Sequence, residues 1–322
     1  MADYKGIQGF SIQNLSADPS DPVEGQIWYN STSNVWKVEE ATTAGAWATG
    51  GSLSNARYEL GGCGIQTAAL AFGGEPNQTL TEEYNGATWS PSNNLVTARQ
   101  ALGAAGTQTT GLGFGGITPA PAVTGATEEY GGVSWVTSNP LNTARYVLAG
   151  AGTQTSGLAI AGYTGTVNTG ATEEYDGNSW TNSNSMNTAR RGLAGAGIQT
   201  AGLAFGGYIT TNQSGTEEYD GTSWTASNPL NTARRFPGGC GIQTAALAFG
   251  GFSPVVTGAT EEYNGTSWAT SPASLSTARY GLAGAGNASL GLAFGGAVTA
   301  YNAETEEWTG AGTPTTKTIT VS

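Results

Sequence analysis

Apolar positions along this chain come in short bursts bounded by turn residues, and the bursts recur in a fixed order. The clearest copy runs from Thr188 to Trp224, TARRGLAGAGIQTAGLAFGGYITTNQSGTEEYDGTSW. Its small-residue stretch from Leu193 to Gly197 predicts a first strand placed where backbones crowd and only Gly and Ala fit. After an IQT or TQT turn, LAFGG predicts a second strand. TEEY predicts a third and the tryptophan opens a fourth, joined through DG, NG or GG, which supply the positive φ of a tight hairpin. The Tyr-to-Trp spacing is rigid: Tyr84 to Trp89, Tyr130 to Trp135, Tyr175 to Trp180, Tyr219 to Trp224 and Tyr263 to Trp268 are each five apart.

The pattern is anchored by Arg57, Arg99, Arg145, Arg190, Arg234 and Arg279, at intervals of 42, 46, 45, 44 and 45 residues. A period of this length marks an architecture whose units bury their apolar faces only by stacking. The last copy reaches Thr305-Glu306-Glu307-Trp308 and lacks a tryptophan strand, while Ala46-Trp47 with GGSLSNAR is such a strand without its first three. Joining the two predicts an all-β, six-bladed β-propeller with four antiparallel strands per blade, its ring closed by the strand of Trp47 completing the last blade. Residues 1–40 then form an N-terminal arm and hairpin, 41–310 the propeller and 311–322 a tail whose alternating KTITVS is expected to add an edge strand beside that hairpin. The hairpin is QIWYNSTSNVWKV, and its aromatics Trp28, Tyr29 and Trp36 are candidate docking residues.

Charge and composition narrow the function. The net charge of −12 repels a phosphate backbone and argues against a nucleic-acid partner. With 51 glycines and 11% charged residues, helix is expected to be scarce. MADYKGIQGFSIQNL lacks the basic flank and apolar run of a secretory signal, and no stretch is long enough to span a membrane, so synthesis in a cytoplasm is expected. Cys63 and Cys240 occupy a place held elsewhere by Ala105, Ala151, Ala196 and Ala285, which predicts small, buried, inert thiols.

The chemistry available is limited. There is no histidine, hence neither the usual general base nor imidazole ligands for copper or zinc. The carboxylates come as neighbours, Glu82-Glu83 through Glu306-Glu307, and neighbours on a strand face opposite ways, so a pair cannot grip one sugar as acid and nucleophile. One glutamate of each pair is expected to meet an anchor arginine while the other faces solvent, with Glu83, Glu129, Glu174, Glu218, Glu262 and Glu307 named as the repeat glutamates and the choice within each pair left open. Calcium held between glutamates is a competing assignment, but no Asp-rich loop accompanies it. Arginines in register, one per unit, do not converge as a sialidase-like site requires. No catalytic residue, metal or cofactor is therefore assigned. Variability collects between the double glycine and Glu-Glu, which makes those loops the candidate recognition face, with Tyr163, Tyr208, Phe252 and Tyr301 as candidate binding residues.

The order arginine, double glycine, Tyr and Trp resembles the kelch repeat over residues 47 to 308, with double glycines at Gly73-Gly74, Gly115-Gly116, Gly206-Gly207, Gly250-Gly251 and Gly295-Gly296 and a departure at Ala161-Gly162. PVEGQIWYNSTSNVWKV is similar to a hairpin module of tailed-bacteriophage structural and tail-fibre proteins, and the repeat phrase is similar to kelch-like virion proteins of marine phages. Those resemblances imply a non-enzymatic phage virion or appendage protein. It would dock to other virion proteins through residues 1–40, reside in the virion and present its face to a host-surface glycan or protein. The alternative is a bacterial carbohydrate-binding, lectin-like module. Homo-oligomerisation through the arm would accompany the first reading.

Overall fold

The fold was taken from a computed structural model, which describes residues 13–19, 25–41, 44–76, 79–312 and 314–319. The chain divides into two compact units, Ala46–Thr309 and a smaller one from Met1–Gly45 with Gly310–Ser322.

In the larger unit every repeat forms an antiparallel four-stranded sheet of its own. In the fourth, Ala194–Ile198, Ala201–Phe205, Thr216–Tyr219 and Trp224–Ser227 pair in chain order. The tight turn places Tyr219 opposite Trp224 across the last two strands. The sixth sheet is completed by Ala46–Gly50, which pairs with Thr305–Thr309 so that Trp47 lies opposite Trp308.

The expectation of a six-bladed propeller with a ring-closing strand is corrected: among the described residues there are seven four-stranded sheets, and none closes into a ring. The seventh belongs to the smaller unit. There the hairpin strands Ile27–Asn30 and Val35–Ala41 gain Pro314–Ile319 on one side and a parallel partner, Gln13–Leu15, on the other. Strand-to-strand ladders stop at the edge of each sheet, and neighbouring repeat sheets meet largely through side chains. Their first strands pack against one another, and the sixth sheet's Ala283–Gly286 contacts the first sheet's Gly61–Ile65. The approach explains the small residues: a Cβ on Gly150 would stand 2.2 Å from the Ala104 carbonyl of the preceding repeat.

Each seam between repeat sheets carries the same bond. The Trp135 indole N–H donates to Thr81 Oγ1 of the preceding repeat at 2.9 Å, and Trp89, Trp180, Trp224, Trp268 and Trp47 donate equivalently to Thr305, Thr127, Thr172, Thr216 and Thr260. Each indole, buried at five seams and half-buried at Trp47, thus fills the seam with its ring and satisfies its one donor. At five seams a glutamine also caps two carbonyls of the neighbour, as Gln154 does on Gly111 and Tyr130.

Candidate functional site

The anchor arginines are buried and structural. Each pairs with the first glutamate of its own repeat: Arg57 with Glu82 at 2.9 Å, Arg99 with Glu128 at 3.1 Å, Arg190 with Glu217 at 2.7 Å and Arg279 with Glu306 at 2.8 Å. Arg145–Glu173 and Arg234–Glu261 complete the set. Burial pulls the Arg57 and Arg99 guanidinium groups down to about 10, with the paired carboxylates opposing that shift. The guanidinium also ties down the foot of the variable loop, as when Arg57 donates to the carbonyls of Gly73 and Leu80. The second glutamates do not simply face solvent. Glu83, Glu129, Glu174, Glu218 and Glu307 accept from Tyr130, Tyr175, Tyr219, Tyr263 and Tyr84 of the adjoining sheet. In place of the tyrosine that would reach Glu262 stands Trp308, whose indole donates to the Ala288 carbonyl instead. Cys63 and Cys240 are buried free thiols, and burial pushes both up to about 12.

One step outward, the residue after each anchor arginine bridges to the residue after each double glycine or its equivalent: Tyr58 to Glu75, Gln100 to Ile117, Tyr146 to Tyr163, Arg191 to Tyr208, Arg235 to Phe252 and Tyr280 to Ala297. The backbone geometry repeats and the side chains do not. The next residue inward closes a circuit of backbone hydrogen bonds that no sheet provides. Ala101 N–H donates to the Glu59 carbonyl, Val147 to Ala101, Gly192 to Val147, Phe236 to Gly192, Gly281 to Phe236 and Glu59 to Gly281, all within 2.7–2.9 Å. The circuit requires positive φ at all six positions, including Val147 at 46°, a conformation a β-branched residue rarely adopts. A cavity of ≈ 90 Å³ opens above it, lined in part by Glu59, Val147 and Phe236.

These bridges bring together three of the four aromatic candidates. The Arg191 guanidinium lies 4.4 Å from the Tyr163 ring centre and 5.4 Å from that of Tyr208; Arg235 lies 5.0 Å from Tyr208 and 4.4 Å from Phe252. The stack alternates ring and cation, which fixes both at low entropic cost. Ring contacts extend it through Tyr146 against Tyr163 and through Tyr280 against Phe252, then to Tyr58 and to Tyr301, which stacks on Tyr58 at 5.6 Å. Only the second repeat, with Gln100 and Ile117, contributes no ring to this arc.

The two ends of the face differ in charge. Opposite the arginines lie Glu75, which accepts from the Tyr301 hydroxyl at 3.0 Å and from Gln100 Nε2 at 3.4 Å, and Glu59. Burial, then the charge of Glu75, pushes the Glu59 carboxyl up to about 7, against a hydrogen bond from Tyr58 that lowers it. Tyr58 is raised by its burial and by both carboxylates, so its hydroxyl stays a neutral donor. Sequence reasoning overlooked Glu59, Glu75, Arg191 and Arg235. Their signal was present: one and two places after the anchor arginine, where Glu59, Arg191 and Arg235 stand, the repeats disagree as strongly as in the long loops, and Glu75 opens one of those loops.

The docking candidates lie in the smaller unit. Trp28 is fully buried, its indole donating to Asp18 at 3.0 Å, so it offers no contact surface. Tyr29 and Trp36 are half-buried and lie 5.3 Å apart, beside Gln13 and Asn14. Other parts of the expected arm, residues 1–12 and 20–24, lie outside the described residues.

No family model and no curated protein matches the sequence. Among solved structures the chain is similar to "Structure of YjhT", with a TM-score of 0.69 and 11% identity over 80% of this chain and 95% of that one. That likeness is one of fold. YjhT is a bacterial protein, and nothing in the similarity supports the phage resemblance. The virion reading is therefore withdrawn, and with it the expected virion partners, arm docking and virion localisation. The phrase that suggested it consists of glycine turns, TEEY and tryptophan strands, which the seams and ion pairs above account for as framework. The chain belongs with all-β proteins built of separate four-stranded sheets, similar in fold to YjhT.

Proposed function

We propose that this chain is a non-enzymatic carbohydrate-binding protein that holds a glycan across the face bearing Tyr163, Tyr208, Phe252 and Tyr301. The observation that carries this reading is the arc of rings from Tyr146 to Tyr301, set by isolated bridges on an otherwise repetitive frame. Ring faces suit the apolar C–H faces of sugars, while the stacked guanidinium groups of Arg191 and Arg235 present planar donors to hydroxyl or carboxylate oxygens. Presentation on a fixed frame limits the entropy lost on binding. Glycan-array binding by the free protein tests it, with signals lost in Tyr208→Ala; an array on which wild type binds nothing refutes it.

A second reading has one observation in its favour. A carboxyl held at about 7 beside a cavity is the kind of group that moves protons, so Glu59 would be the acid or base of a hydrolase. Turnover in a glycosidase and esterase screen, abolished by Glu59→Gln, would establish that reading over the first.

A further inference from the structure

Next to the arc's acidic end is a second cavity, of ≈ 150 Å³, lined by Tyr58, Glu75, Tyr280, Tyr301 and the short loop 297–300. Three of its walls are tyrosine rings. Tyr301 stacks on Tyr58 with the planes 12° apart, and Tyr280 stands edge-on to Tyr58 at 5.9 Å. The only charge on its lining is the Glu75 carboxylate, whose oxygens are met by neutral donors, the Tyr301 hydroxyl and the Gln100 amide.

The cations of the larger unit are all committed elsewhere. Between Ala46 and Thr309 there are eight arginines and neither lysine nor histidine. Six are buried in the anchor ion pairs, and Arg191 and Arg235 lie on the rings of Tyr163, Tyr208 and Phe252. Among the described residues no lysine or arginine pairs with Glu75 or Glu59, although Glu75 raises the free energy of charging Glu59. The acidic end is thus a negative, aromatic-walled recess without a counter-ion.

We infer that this recess binds an organic ammonium group, with Glu75 as the counter-charge and the rings of Tyr58, Tyr280 and Tyr301 around the cation. Ring faces attract an alkylated or primary ammonium through their quadrupoles, and a carboxylate at the edge adds direct attraction. A divalent metal is a poorer fit, because it needs about six oxygen ligands and the recess supplies one carboxylate. An anion meets the wrong field. The site would admit either an amino sugar, which would extend the carbohydrate reading, or a quaternary ammonium compound independent of it.

Titration calorimetry with choline, glucosamine and N-acetylglucosamine at neutral pH tests the inference on the full chain. Saturable binding of choline or glucosamine is expected, with N-acetylglucosamine, whose nitrogen carries no charge, weaker by about tenfold or more. Glu75→Gln should weaken the cation by about tenfold, and Tyr301→Ala, which alters an exposed side chain and leaves the frame intact, by severalfold. Choline without glucosamine identifies a quaternary-ammonium site, and glucosamine without choline an amino-sugar site. Absence of binding by both, equal binding of N-acetylglucosamine and glucosamine, or unchanged affinity in Glu75→Gln overturns the inference. Arg235→Met separates this result from the glycan reading, since it should leave choline binding unchanged.

Discussion

Arg190 and Arg191 are neighbours in the chain and identical in kind, yet they belong to different regions of the molecule, and so do Arg234 and Arg235. Arg190 is buried and ion-paired to Glu217, one of six equivalents, whereas Arg191 lies at the surface between two tyrosine rings and recurs only in the next repeat. The difference lies in what each position is asked to satisfy. The inner position must satisfy a carboxylate in every repeat and, in the first, second and fifth, a carbonyl at each end of the variable loop, and a guanidinium fork suits that geometry. The outer position must satisfy only a backbone bridge, so its side chain is free to differ. Repetition therefore marks the frame, and departure from repetition marks the rim on which the proposed recognition surface lies.

The sharpest break of that comparison comes from paired substitutions. Arg234→Met strands the Glu261 carboxylate in the interior and should cost about 3–5 kcal/mol in urea denaturation, while Arg235→Met should stay within about 0.5 kcal/mol of wild type. Equal losses in the two variants would erase the distinction between frame and rim. Next in size, Gly150→Val drives a side chain into the Ala104 carbonyl and should destabilise by at least about 1–3 kcal/mol, with glycan binding falling only as the folded fraction falls.

The smallest expected effect concerns pH. Burial, then the charge of Glu75, pushes the Glu59 carboxyl up to about 7 when folded, from an ordinary value of 4.5. A raised carboxyl destabilises the folded state increasingly as pH rises from the unfolded value, and the cost is complete above the folded value. Glu59→Gln should therefore leave stability unchanged near pH 4 and raise it by about 1–3 kcal/mol at pH 8, read as a thermal or urea midpoint. The groups that act on Glu59 are Tyr58 and Glu75, and its charge is felt in turn by Tyr146 and Tyr301. A stabilisation equal at both pH values would show that the carboxyl is not held up by its surroundings.

How much of this was legible in the chain depended on whether a feature is local. Turn chemistry and spacing placed the TEEY strand, the tryptophan strand and the pairing of Tyr219 with Trp224, because a tight hairpin fixes its own register. The place of Trp47 opposite Trp308 was legible from an incomplete last repeat. The seventh sheet was legible in part: the alternation of KTITVS marks an edge strand for the N-terminal hairpin, and Pro314–Ile319 pairs with Val35–Ala41, whereas the parallel partner Gln13–Leu15 carries no periodicity that announces it. The choice of glutamate was not legible: alternation says that Glu217 and Glu218 face apart, and only the packing of sheets decides that Glu217 turns to Arg190 and Glu218 to Tyr263. Of the candidate face, loop variability singled out Tyr163, Tyr208 and Phe252, which the structure brings into one stack, while Glu59 escaped because it follows an anchor arginine inside a stretch read as framework. The phage reading rested on frame residues, which report how sheets stack and carry little about what the face binds, and on the hairpin from Pro22 to Val38, a short turn-bounded element that specifies a local fold rather than a partner.

The most direct test of the rim as a recognition surface is a glycan array probed with wild type and with the Arg191→Met, Arg235→Met double variant, both shown to unfold at the same urea concentration. The account predicts a defined set of glycans bound by wild type and lost by the double variant. Glycan binding that survives the loss of both arginines would contradict it.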